Sequence, residues 1–154
     1  MNHCYNSGDF KKYFNENMKA LGLPVPSTLF DTYQTAVATA STLVGTLATL
    51  GKGATIGELI GATVGLEKLA VAASFGAAAY TGAVIGSIAV AIGRVLGRGS
   101  RISDLFAFTH QNNLQFEGIA AFYTHNSQIL NKEHTFRNSF GIRAKTSPSS
   151  FEYA

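Results

Sequence analysis

The sequence has one cysteine, Cys4, three prolines and no tryptophan. A single thiol cannot close an internal disulfide, and it cannot build a cysteine zinc cage. Charge is scarce too. Charged residues make up 14% of the 154 positions, against roughly 25% in an average soluble domain. Hydrophobic residues stand at 46%, which excludes a disordered chain, because disorder needs low hydrophobicity and abundant charge. The net charge of +3, from 12 Lys+Arg and 9 Asp+Glu, is too small over this length for a nucleic-acid footprint, so no nucleic-acid partner is expected. A chain of this length is read as one domain, 1–154.

Catalytic spacing is missing as well. His3, His110, His125 and His134 are separated by 107, 15 and 9 positions, so none forms an i,i+4 metal pair or an HExxH helix. The GxxxxGK[ST] phosphate loop is absent. Cys4 has no local signature of a nucleophile. No catalytic residue, metal or cofactor is expected, and the chain does not read as an enzyme. The N-terminus lacks an early lysine followed by an apolar run, since Asp9, Lys11 and Lys12 interrupt the window. The expectation is a protein made and kept soluble in the producing cell's cytoplasm, or secreted by a route that needs no cleaved signal peptide.

The residues present fall into three compositions. Residues 1–30 are polar and mixed, and residues 98–154 return to ordinary polarity with many aromatics. Between them, residues 31–97 carry six charges and hold 15 Ala and 11 Gly. Phe10, Phe14, Met18 and Leu21 recur at helical spacing, predicting a helix over 9–21 that Pro24 and Pro26 stop. Ser27 or Thr28 is the expected cap of the next helix, with Asp31 in its first turn and its end near Leu50. Further helices are expected from Ala54 to about Lys68, from Leu69 (or in continuity with the previous one) to about Leu96, and from Asp104 to about Lys132 with a break near Asn112-Asn113. The fold class is all-α: a helical bundle with a small-residue central hairpin and a polar, aromatic-rich helical C-terminal region.

Glycine gives the sharpest pattern. Gly53, Gly57, Gly61 and Gly65 recur every four residues, and Gly82 with Gly86 and Gly93 with Gly97 repeat the spacing. Glycine inside a helix costs roughly 1 kcal/mol relative to alanine, so such a row implies a close contact that offsets it. In membranes, small-xxx-small rows let two helix backbones approach. A tightly crossed helix pair in a water-soluble core would use the same residues. Residues 69–93 contain no Asp, Glu, Lys or Arg, and their length suffices to span a hydrocarbon core. Leu, Ile and Val fill only seven of these positions, which suits a segment that enters both water-soluble and lipid surroundings.

Thr28, Thr32, Thr35, Thr39, Thr42, Thr46 and Thr49 follow spacings of 4, 3, 4, 3, 4 and 3. On a helix this makes a hydroxyl seam. Thr32, Thr35, Thr39, Thr42, Thr46 and Thr49 can line a narrow aqueous pore or hydrogen-bond between helices; equally, they can bond back to their own helix. Arg94, Arg98 and Arg101 close the apolar run, either as anchors at anionic headgroups or as a solvated helix end.

With its zippers at 53–65 and 82–97, the chain resembles the small pore-forming antibacterial effectors delivered by type VI secretion systems. That resemblance implies carriage by a secretion-tube chaperone, insertion into the target cell's inner-membrane lipid bilayer, self-oligomerisation there, loss of the membrane potential, and neutralisation by a membrane immunity protein. Two other classes compete with it: a soluble helical adaptor or chaperone-like module, and a resident membrane protein with helices 31–51 and 69–96 crossing as a hairpin. Under the membrane-inserting reading, the aromatic C-terminal region shields residues 69–93 in water.

Overall fold

The computed structural model describes residues 7–23, 29–51, 53–63, 66, 75–97, 101–115, 118–130 and 140. The all-α class holds: six α-helices and a short 3-10 turn, with a single isolated bridge, Thr55 to Gly76, as the only extended pairing among the described residues.

Helix α1 runs Ser7–Ala20. Phe10, Phe14 and Met18 form its stripe, Leu21 follows just after it, and all four are fully buried, as their i,i+4 and i,i+3 spacing demands. A left-handed Gly22, φ 80°, turns the chain out of it.

Helix α2 runs Tyr33–Leu50, and Thr32 caps it through a reciprocal box with Thr35. This corrects the expected cap: Ser27 and Thr28 lie outside the described residues. Asp31 precedes the cap and pairs with Lys11 of α1 at 3.3 Å. The helix stops at Gly51, φ 98°.

Helix α3 is short, Ile56–Ala62, with a second capping box from Thr55 to Glu58. The helix expected over 54–68 is therefore fixed at its start by Thr55 and reaches Ala62; residues 64, 65 and 67–74 lie outside the described residues.

Helix α4, Ala77–Val95, is the centre of the molecule. Fifteen of its 19 residues are buried. It packs most extensively against α1 and next against α2, with α3, α5 (Ile102–Gln111), α6 (Ile119–His125) and the 3-10 turn Ser127–Ile129 completing its cover. Its own composition explains the placement: every position from Ala77 to Gly93 is uncharged, so each face can be buried without stranding a charge. Gly97, φ 73°, ends it as a left-handed glycine after the helix. One hydrophobic cluster runs from Phe10 through α4 to Phe140.

Candidate functional site: the glycine face of the central helix

Helix α4 is long and apolar enough to cross a membrane, by length and composition, and it is the one such helix among the described residues. It is also 78% buried, as the core helix of a water-soluble bundle would be. What distinguishes it is how its glycines are used.

Gly82 and Gly86 are one helical repeat apart and share a face. A Cβ on Gly82 would overlap the ring of Phe122, and one on Gly86 would overlap the Cγ2 methyl of Ile129 and meet Tyr123 Cε1 at 3.4 Å. Phe122 and Ile129 are themselves buried, so neither has free room to withdraw. The C-terminal segment thus seats a ring and a methyl in the hollows that the missing side chains leave. The phenol of Tyr123 donates to the Gly82 carbonyl at 2.6 Å. Burial pushes that phenol well above its ordinary value, and the Gly86 backbone partly offsets the shift.

A buried polar tie flanks this face. Asn17 Nδ2 donates to Ser87 Oγ at 2.8 Å and to the Ile129 carbonyl at 3.1 Å. One side chain therefore joins α1, α4 and the C-terminal turn. Nearby, Tyr80 and Thr81 are fully buried, and their hydroxyls find no partner among the described residues. A buried hydroxyl left unpaired costs on the order of 1–3 kcal/mol, so α4 keeps its place against a local penalty.

The other ladder differs. Gly53 lies in the turn before α3, Gly57 is half-buried within α3, and Gly61 is exposed with open space where a Cβ would stand. The Thr55 capping box starts α3 after Gly53, so these glycines do not form one continuous helix face here. Gly65 lies outside the described residues. Gly93 is buried in α4, whereas Gly97 is exposed and serves the turn.

Four threonines of the seam bond back to their own helix, and Thr28 lies outside the described residues. Thr39, Thr42, Thr46 and Thr49 donate to the carbonyls four residues back, at 2.9–3.2 Å. Thr39 is also 3.0 Å from the Leu29 carbonyl, and Thr46 is 2.9 Å from the Thr63 hydroxyl. Thr32 and Thr35 form the cap. Thr35, Thr42 and Thr49 face outward, and Thr39 is buried.

The arginines do not share a helix. Arg94, in the last turn of α4, pairs with Glu16 at 2.9 Å and lies over the Tyr13 ring at 3.9 Å. Arg101 sits across the Gly97 turn, at the start of α5, 3.6 Å from Asp104. Arg98 lies outside the described residues.

From the sequence, the C-terminal aromatics could either pack against the apolar segment or bind a partner, and Phe122 and Tyr123 lie against α4; Asn17, Ser87 and Ile129 were not expected there. A signal existed for Asn17, since it falls on the stripe of Phe10, Phe14, Met18 and Leu21. Among the described residues there is no cluster of metal-ligating side chains. A cavity of about 230 Å³ between α4 and α5, lined by Tyr33, Ile92, Leu96, Asp104 and Phe108, holds one carboxylate and no base–nucleophile pair. Compared with models of known protein families, with curated protein sequences and with solved structures, the chain gives no match.

Proposed function

We propose that the chain is a membrane-inserting, pore-forming antibacterial toxin that depolarises a target cell's inner membrane by conducting ions, with no catalytic step. The observation that carries this reading is α4: a 19-residue helix whose sole charge is Arg94 near its end, held inside a water-soluble bundle with a glycine face covered by side chains of the same chain. A helix of this length spans a bilayer core, and a glycine face lets such helices assemble in lipid. Helix α2 carries no charge over its 18 residues and presents Thr35, Thr42 and Thr49 outward, which makes it the candidate lining. The proposed partners are the target lipid bilayer, further copies of the chain, a secretion-tube carrier and a membrane immunity protein; the proposed route is type VI secretion without a cleaved signal.

A soluble helical adaptor is the second reading, favoured by the burial of α4 and by the threonine hydroxyls bonded to their own helix. Vesicles of phosphatidylethanolamine and phosphatidylglycerol holding a potassium gradient separate the two. Purified full-length protein is expected to collapse the diffusion potential. Vesicles that keep their potential at every protein concentration overturn the toxin reading and leave the adaptor.

A further inference from the structure

We propose that residues 118–130 form an intramolecular latch, which occupies the Gly82–Gly86 face of α4 and must leave before that helix can enter a bilayer. This rests on the membrane reading of α4 given above. The face that would bring two α4 helices together in lipid is the face that Phe122 and Ile129 fill in the soluble fold. Both uses need the same hollows, so they exclude one another.

The latch has ring and methyl seats and polar ties. Phe122 sits on Gly82 and Ile129 on Gly86. Tyr123 holds the Gly82 carbonyl, and Asn17 holds the Ile129 carbonyl while bonding Ser87, next to Gly86. Its own structure depends on docking. Helix α6 spans seven residues, starts after a left-handed Gly118, φ 83°, and has no side-chain cap bond. An isolated helix that short does not persist in water. Helix α1, the largest cover of α4, is fastened to it by Arg94 and Glu16, and α6 and the turn after it cover far less of that helix. The latch is therefore a small part of the cover, yet it is the part on the glycine face. A bilayer that binds only the unlatched helix draws the population toward release.

A reversible lock tests this in the full chain. A Cβ built on Gly86 lies 3.7 Å from Ile129 Cβ, within the separation a disulfide takes, about 3.8 Å. Gly86→Cys with Ile129→Cys, in a Cys4→Ser background, fixes the latch when oxidised and frees it when reduced. Leakage of trapped dye from phosphatidylethanolamine–phosphatidylglycerol vesicles is expected to be at least roughly tenfold slower for the oxidised chain than for the same chain reduced, with the Cys4→Ser chain indifferent to reductant. A second variant, Tyr123→Phe, keeps the ring and removes the tie to Gly82, and leaks faster than wild type. Equal leakage by the oxidised and reduced pair, or a Tyr123→Phe chain no faster than wild type, overturns the latch and leaves the membrane reading standing. Vesicles untouched by wild type and by both forms of the pair overturn the membrane reading, and the latch with it.

Discussion

The amide of Asn17 donates to the hydroxyl of Ser87 at 2.8 Å, across the packed interface of α1 and α4. Asn17 is 5% exposed and Ser87 fully buried, so neither has water as a substitute partner. Asn17→Ala is expected to lower stability by about 2–3 kcal/mol, because it deletes a buried amide and strands its acceptors. Ser87→Ala is expected to cost about 1 kcal/mol, and the double-mutant cycle to show a coupling of roughly 0.5–1.5 kcal/mol. Urea denaturation of the four chains measures this; an additive cycle would show that the bond contributes nothing specific.

The two glycine rows respond oppositely to a methyl group. Gly61→Ala meets open space and is expected to stabilise the fold by roughly 0.5–1 kcal/mol through helix propensity and backbone entropy. Gly82→Ala drives a Cβ into the buried Phe122 ring and is expected to cost about 1–3 kcal/mol despite the same propensity gain. Thermal unfolding followed by circular dichroism decides it, and two shifts of the same sign would contradict the packing described.

Tyr80 and Thr81 bury hydroxyls that have no partner among the described residues. Tyr80→Phe and Thr81→Val remove the hydroxyls and keep nearly the same shape, so each is expected to raise stability by about 1 kcal/mol. Guanidinium denaturation reads the change. A loss of stability in either variant would mean that the hydroxyl is satisfied in solution.

Burial also raises the phenols of Tyr80 and Tyr123 well above the ordinary value of 10.0. The folded chain then keeps protons that the unfolded chain releases, so the unfolded state binds fewer protons at high pH and stability falls as pH rises. The contribution is fully present below about pH 10 and lost above it. An alkaline titration is expected to show the tyrosinate absorbance of these two residues rising together with loss of helical circular dichroism. Ionisation of both with the helices intact would contradict their burial.

The sequence by itself determined the helical class and the stripe of α1, because Phe10, Phe14, Met18 and Leu21 repeat at a spacing that fits one helix face. It also marked α4, since a long uncharged run can be buried on all sides. The end of that helix was readable at Gly97, where the chain needs a left-handed residue. Local pattern did not decide which glycines make contact. Gly61 and Gly86 stand in similar small-residue contexts, GELIGATVG and GAVIGSIAV, yet one faces open space and the other faces Ile129. That difference is set by a residue 43 positions away in the chain, brought back by α6 and the turn after it. The same holds for Arg94, which spacing grouped with Arg98 and Arg101 and which the fold gives to Glu16 and Tyr13, 78 or more positions back. Periodicity fixes which face of a helix is apolar or small. What covers that face depends on contacts between residues far apart in sequence, and these exist only once the helices have packed.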